Sequence, residues 1–503
     1  MSKPTLFAPA FALTCALVAT TTALVAPGCG STSTNAPPGD TDSGAGADGN
    51  VPPAFVYSPA GCGYTVSPLD TWAFSDLAAD DGAPVTDAAG GVPIRVRLGL
   101  GGKATAGQAG YADPTTTAVV TWETTAANHA AKVRLSTDAT TLSDVHAGYT
   151  WTATVESGLG SGEPPVHMHE VHICGLTPGK TYFYQAGGGT TGSDAWGPTQ
   201  SFTTVPSSGT ITFGFSGDSR DNVLTLQAVQ RRMRDNAVNF QLYSGDFIDI
   251  GALESFYASA FDAIWKDPAD ATKFLTLGQQ MFIPIAGNHE QEASRFFSNF
   301  SLPAEGPYAK TYASFNAGSG HFVLIDDQMI ALAPAGDQAA AQLAWLDGDL
   351  AKADADRAAH PFVVVVSHRG LYSTSEHHTD SDVVQARTSL ATLYDKYHVD
   401  VALNGHEHEY ESTHALKASA TVPDGQGTVY IVNGGAGSEA YTVSVMDPRR
   451  RQQQFFGGTT MLTGTYGIAT LDAHKLSLAS YAMKSSSTTL ANDKLIETID
   501  LTR

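Results

Sequence analysis

Two patterns of apolar spacing divide the chain. From about Pro93 to Pro206, short runs rich in β-branched and aromatic residues are separated by Gly, Asn, Asp and Pro turns. The runs "TAVVTWETT", "AKVRLST", "TWTATV", "VHMHEVHICGL", "KTYFYQAGG" and "TQSFTT" predict strands, and no amphipathic helix of useful length lies among them. That combination predicts a β-sandwich. Within "HEVHICGL", Val171 and Ile173 point to one face, His172 and Cys174 to the other. His167, His169 and His172 are expected to be outward strand histidines rather than metal ligands, because only the first two share a face and no acidic partner is evident.

After Pro206 the order becomes strand, polar loop, helix. Behind Arg220, the residues Leu226, Val229, Met233 and Ala237 fall on one helical face. "QLAWLDGDLAKADADRA" and "DVVQARTSLATLYDKY" likewise read as amphipathic helices. "GTVYIVNGG" and "YGIATLDAHKLSLASYAM" restore strand character toward the end, after an unpatterned interval from about Ser412 to Gly425. This predicts an α/β domain over residues 207–503.

In that domain five apolar runs break off in residues that bind metals. "ITFGFSGDSR" delivers Asp218, "NFQLYSGDFID" delivers Asp246 and Asp249, and "MFIPIAGNHE" delivers Asn288 and His289. "FVVVVSHRG" delivers His368, and "VALNGHEHEY" delivers His406 and His408. The carboxyl ends of strands in an open α/β sheet line one crevice, so all five sets can converge. Alone, a Gly-Asp turn or a strand-end His is usually structural; five in one domain are hard to attribute to chance. Carboxylates, an amide oxygen and imidazoles without thiolate suit Fe, Mn or Zn. An aspartate able to bridge, with the other ligands in two groups, implies two metals roughly 3.5–4 Å apart.

Charge narrows the partners. The chain has 503 residues, with 28 Lys and Arg against 50 Asp and Glu, a net charge of −22. Nucleic acid and anionic membrane surfaces are therefore poor partners, and a phosphorylated substrate needs bound cations to reverse the local sign. The first 29 residues, one lysine and then an Ala- and Thr-rich apolar run broken by Pro9, read as a signal sequence. Cys29 sits where a bacterial lipoprotein carries its lipidated cysteine, with ordinary cleavage nearby as the alternative. Residues 30–53 read as a flexible tether, 54–206 as the sandwich domain. Export, to the cell envelope or beyond, follows. Of four cysteines, Cys62 and Cys174 lie in the folded part; an oxidising compartment permits a bridge between them, and two separate buried thiols are the alternative.

The series GD, GDxxD, GNHE, a strand-end His and GHxH resembles the calcineurin-like metallophosphoesterases. More narrowly, the chain from about Pro93 resembles a purple acid phosphatase, including "GHEHEY", "SHRGLYS", "TYASFNAGSGHFVLID" and "GTVYIVNGGAG". Trp122, "GLTPGKTYFYQ" and "SFTT" resemble a fibronectin type III-like module, which precedes the catalytic domain in plant-type members. The resemblance implies a fibronectin III-like sandwich followed by an α/β/β/α metallophosphoesterase domain. It implies two divalent or trivalent metal ions, Fe with Zn or Mn, and a small phosphorylated substrate whose phosphate monoester is cleaved by a metal-activated water. Asp246 would bridge the metals, Asp218 and His408 would bind one, and Asn288, His368 and His406 the other. His289 would contact the phosphoryl group, and His377 and His378 would contact substrate, one of them as general acid.

Two positions depart from the family. Purple members carry a metal-binding tyrosine where this chain has Asp249, and other metallophosphoesterases carry a His where it has Arg220. Either Asp249 coordinates directly, or it pairs with Arg220; the pairing is preferred because it accounts for both substitutions. Arg220 could also grip phosphate through its fork of donors. Without the tyrosinate the enzyme is expected to be colourless. Two rival readings share the sequence: a phosphodiesterase or nucleotidase with the same metals, separable by a panel of monoesters and diesters, and a surface-anchored binding protein on a decayed site. Retention of the whole bridging set argues against the second.

Overall fold

The computed structural model describes residues 57–66, 74–80, 91–103, 112–126, 129–153, 166–188, 196–220, 222–268, 270–290, 294–303, 310–456, 462–486 and 490–503. The expected signal, Cys29 and the tether lie outside them. The expected β-rich N-terminal part is present as strands β1 (Phe74–Ala79), β2 (Ile94–Gly99), β3 (Thr117–Thr124), β4 (Lys132–Ser136), β5 (Asp144–Ala147), β6 (Tyr149–Ala153), β7 (Val166–Cys174), β8 (Thr181–Gly187) and β9 (Gln200–Thr203). They form two antiparallel sheets, ordered β1-β6-β7-β3-β2 and β5-β4-β8-β9. Alternation decides the core: Val120, Trp122, Val171 and Ile173 from one sheet meet Val133, Leu135, Tyr184 and Phe202 from the other. Cys62 and Cys174 form a disulfide across 112 residues of chain.

The histidines of β7 correct one expectation. His169 has the parity of Val171 and Ile173, so it points inward. It is fully buried, stacked on Trp122 at 5.2 Å, with Nε2 at 2.9 Å from the Thr124 hydroxyl. His172 is also buried, because the segment around Tyr57 and Tyr64 covers the opposite face. Its Nε2 meets Glu170 at 2.8 Å and its Nδ1 meets the Tyr64 hydroxyl at 2.8 Å.

The second part runs β10 (Ile211–Ser216), α1 (Val223–Asp235), β11 (Phe240–Tyr243), α2 (Glu254–Trp265), a hairpin β12 (Lys266–Asp267) and β13 (Asp270–Phe274), β14 (Met281–Pro284) and α3 (Ser294–Asn299). It continues with β15 (Ala313–Ala317), β16 (Gly320–Leu324), α4 (Asp327–Leu332), α5 (Asp337–Ala355), β17 (Phe362–Val366), α6 (Ser381–Lys396) and β18 (Val401–Asn404). Then follow β19 (Tyr410–Thr413), a hairpin β20 (Leu416–Lys417) and β21 (Ala420–Thr421), β22 (Val429–Asn433), β23 (Arg450–Gln454), β24 (Gly464–Leu471), β25 (Lys475–Met483) and β26 (Lys494–Thr502).

These strands make two mixed sheets, β14-β11-β10-β24-β25-β26 and β15-β16-β17-β18-β22-β19-β23. The sheets face each other through Phe213 and Phe240 against Phe315 and Phe322, with ring centroids 5.2–5.4 Å apart across the gap. Helices α1 and α2 cover the outer face of the first sheet, α4–α6 that of the second, an α/β/β/α layering. β17 explains why its run is continuously apolar: Phe362, Val364 and Val366 enter the inter-sheet core while Val363 and Val365 pack under the helices. α1 begins at an Asn222 side-chain cap and buries Leu226, Val229 and Met233 as expected. Ala237 lies beyond its end with φ +49°, so the helix is shorter than the spacing suggested.

The sandwich is joined tightly to this domain. Leu98 N–H donates to the Leu277 carbonyl at 3.1 Å, and the Tyr184 hydroxyl donates to the Gly278 carbonyl at 2.7 Å. Arg97 is fully desolvated between Glu123 and Asn299, the last residue of α3. Lys310 reaches back to Glu170 at 3.2 Å.

Candidate metal centre

β10, β11 and β14 run parallel in one sheet, β17 and β18 in the other, and their carboxyl ends open on one crevice. Three of these strands, β10, β11 and β18, stop where backbone strain begins. Asp218, Asp246 and His406 adopt φ of +63°, +50° and +72°, rare for residues with a side chain and sustained only where neighbours fix the turn. Two glycines make room. A Cβ on Gly405 would collide with the Asp218 carboxylate, and one on Gly287 with that of Asp246.

Five residues expected as ligands meet at the centre. Oxygens of Asp218 and Asp246 and a ring nitrogen of His368 all lie within 4.8 Å of one another. His368 Nε2 is 3.4 Å from Asp246 Oδ1 and 2.8 Å from Asn288 Oδ1. His406 Nδ1 is 2.9 Å from the same Asn288 oxygen and 3.3 Å from His368 Nε2. The sixth, His408, stands on the other side, with Nε2 at 3.9 Å from Asp218 Oδ1. Asp246 is thus central, with Asn288, His368 and His406 on one flank and Asp218 and His408 on the other.

Proton placement tests whether a cation suits this set. His368 Nδ1 donates to the Ser244 carbonyl at 2.7 Å, and His408 Nδ1 donates to the Glu439 carbonyl at 2.6 Å. Each neutral ring therefore turns the lone pair of Nε2 inward. For His368 that lone pair faces the Asn288 oxygen; for His408 it is buried and lacks a hydrogen-bond partner. Lone pairs converging on lone pairs are unfavourable unless a cation lies between them. Burial keeps all three imidazoles neutral, lowering His368, His406 and His408, the last to about 3. Burial and the neighbouring Asp246 raise Asp218, whereas His368, His289 and Arg220 outweigh burial and hold Asp246 low. The donor set fits hard-to-borderline metal ions.

The residues around the centre fall differently from the sequence reading. Asp249 is engaged with His289: its carbonyl accepts from His289 Nδ1 at 2.7 Å and its carboxylate lies 3.3 Å from the same nitrogen. The expected Arg220–Asp249 pair does not form. Arg220 N–H donates to the Asp246 carbonyl at 3.1 Å, which draws the guanidinium onto the Asp246 carboxylate at 3.4 Å, and its Nε is left buried without a partner. His289 donates its backbone N–H to Asp246 at 2.9 Å, and its anchored Nδ1 leaves Nε2 for a ligand.

Of the doublet, His377 reaches the cluster, its ring 4.7 Å from that of His406, with Nδ1 held by Asp380 at 2.9 Å. His378 Nδ1 instead donates to the Ser375 carbonyl at 2.5 Å. Two contributors escaped the sequence reading. Glu290 accepts four backbone N–H groups, from Asp246, Phe247, Ile248 and Gly287, at 2.6–3.3 Å. Tyr441 lies flat on His408, with centroids 4.1 Å apart, and its hydroxyl is 3.2 Å from His377 Nε2. Glu290 could have been suspected as the last letter of GNHE; Tyr441 follows no motif.

Comparison with known proteins agrees with this geometry. Residues 107–204 match the family model of the purple acid phosphatase N-terminal domain, and residues 211–410 match that of the calcineurin-like phosphoesterases. Acid phosphatase type 7 of Mus musculus is 26% identical over 317 residues, which span 56% of this chain and 67% of that protein. Purple acid phosphatase 15 of Arabidopsis thaliana is 27% identical over 300 residues, 54% of each chain. Among solved structures, a purple acid phosphatase from yellow lupin (Lupinus luteus) seeds shares the fold with a TM-score of 0.63 at 17% identity, covering 82% of this chain and 74% of its own.

Proposed function

Since this chain is a hydrolase of phosphoric esters, carrying a purple acid phosphatase N-terminal domain ahead of a calcineurin-like phosphoesterase domain, we propose that it is an exported phosphatase cleaving phosphate monoesters at a dinuclear metal centre. The observation that carries the dinuclear reading is the inward lone pairs of His368 and His408 on opposite flanks of Asp246, each with its proton committed to a backbone carbonyl. Asp218 and His408 would hold one ion, Asn288, His368 and His406 the other, with Asp246 shared. Iron paired with zinc or manganese suits the mixture of carboxylate, amide and imidazole. Bound there, the ions supply a water of lowered pKa and offset phosphoryl charge.

The chain's own residues do the rest. Arg220 offers guanidinium hydrogens to a phosphoryl oxygen, and His289, oriented by Asp249, stands on the same side of Asp246 to contact the phosphoryl group. His377, held by Asp380, is the better placed of the doublet to protonate the departing alcohol as the ester P–O bond breaks, since His378 is turned to Ser375. The Cys62–Cys174 disulfide supports an oxidising compartment, and with the N-terminal apolar run it supports export; lipidation at Cys29 would tether the enzyme to the envelope. Such an anchor makes Cys29→Ser release the protein from the membrane fraction.

The test of the catalytic reading is Asp246→Asn with metal content and monoester hydrolysis measured together. Loss of about one metal per chain or more, with hydrolysis down at least 10³-fold, is expected. Full metal content with full activity would remove Asp246 from the centre and the proposal with it.

A further inference from the structure

The loop after β22 crosses the mouth of the centre and is pinned at both ends. At its start, Ser438 donates both its N–H and its hydroxyl to the Asp218 carbonyl, at 2.9 and 2.7 Å. At its far end, Val445 N–H donates to the Thr374 carbonyl at 2.9 Å, beside the turn that carries His377. The loop therefore spans from a metal-ligand residue to the leaving-group histidine. Tyr441, at its middle, stacks on His408 and meets His377 edge-on at 5.2 Å.

The chemistry of this span is unusual for a protein with so many carboxylates. After Tyr441 along the loop come Val443, Val445 and Met446, exposed at 40%, 37% and 92%. Three exposed apolar side chains within a few residues of one another on the loop that carries Tyr441 make an apolar contact surface. Its cations are occupied: Arg449 is paired with Asp447, and Arg450 donates to Thr374, Ser444 and Gln453. The exposed carboxylates Glu376, Asp380 and Glu439 flank His377 and Tyr441 and would repel an anionic alcohol.

We propose that the loop from Ser438 to Met446 is the wall against which the alcohol part of the ester lies, with Tyr441 as its inner face. The wall selects an apolar, aromatic, uncharged alcohol over a polyanionic one such as a nucleotide polyphosphate. This rests on the hydrolase reading above and adds the substrate class to it.

Benzyl phosphate and ethyl phosphate test it, because their alcohols are of similar acidity and differ chiefly in apolar surface. The metal-loaded wild type is expected to favour the benzyl ester in kcat/KM by about tenfold, carried mainly by KM. ATP is expected to be poorer than either ester. Tyr441→Ala should bring the benzyl-to-ethyl ratio toward one. Because Tyr441 also touches His408, the outer double variant Val443→Ser, Met446→Ser is run beside it and should lower the same ratio. A wild-type ratio near one, or a ratio unmoved in both variants, overturns the wall while leaving the hydrolase reading intact. No hydrolysis of any ester by the metal-loaded protein overturns the hydrolase reading and the wall together.

Discussion

Glu290 holds the turn of Asp246 rather than a metal: its carboxylate accepts the Asp246 N–H at 2.9 Å while also receiving those of Phe247, Ile248 and Gly287. One buried side chain thus ties the loop after β11 to the loop after β14, and both deliver ligands. Burial and Asp246 push its pKa up to about 8, yet four amides aimed at it demand acceptor oxygens. In Glu290→Gln an amide group faces N–H donors. We expect a loss of about 3 kcal/mol in unfolding free energy, and metal content reduced further than stability alone explains. Chemical denaturation and metal analysis of the same sample check both; a variant as stable and as metal-rich as wild type refutes the role.

Gly405 is the second structural requirement. A Cβ there would collide with the Asp218 carboxylate and crowd the Ser244 carbonyl, so a single methyl must displace a ligand or the strand end that carries His406. Gly405→Ala should fold, since β18 itself is untouched, but lose monoester hydrolysis by about 100-fold or more. Comparing circular dichroism with turnover decides it: near-normal turnover in a folded variant means that the crevice has slack.

The five strand ends were legible because a buried parallel strand cannot carry charge in its middle, so a change from apolar run to Asp or His marks the point where the chain emerges. What the sequence hid was pairing across distance. Arg220 and Asp249 look like partners when read as two departures from one family, but Arg220 is drawn to Asp246 by its own backbone bond, and Asp249 lies beside His289. The lack of an acidic partner near His169 says only that it binds no metal; its parity with Val171 and Ile173 is what places it in the core. β26 is hard to read because an edge strand with one wet face gives only a weak alternation, "KLIETIDLT". Tyr441 sits in an irregular loop, where no period exists to read.

Asp249 also bears on colour. The position that provides tyrosinate in purple relatives is occupied here by a carboxylate, and among the described residues Tyr243 and Tyr441, both near the centre, are engaged. Tyr243 hydrogen-bonds Ser219 at 2.6 Å, and Tyr441 meets His377. Burial raises both phenols above their ordinary pKa, which opposes phenolate formation. The iron-loaded protein is therefore expected to lack the tyrosinate band in its visible spectrum. A band in wild type that vanishes in Tyr441→Phe would show that Tyr441 swings in as a ligand instead.

The buried Glu170 makes acid stability a property of the domain junction. Tyr149 donates to it at 2.6 Å, His172 lies at 2.8 Å, and Lys310 from the catalytic domain reaches it at 3.2 Å. Burial alone would raise this carboxyl, but Lys310, His172 and Tyr149 outweigh it and hold it well below the ordinary range. A folded-state pKa below the unfolded one means that the stabilisation is fully present above about pH 4.3 and is lost as pH falls through the depressed value. Glu170→Gln should therefore cost about 3–5 kcal/mol near neutrality, where Lys310 is left without its charge partner, and progressively less below pH 4. Chelator-treated wild type and variant, compared by denaturant titration from pH 3 to 8, separate this from metal loss. A gap between the two that stays constant across that range would place the pair's contribution in packing rather than charge.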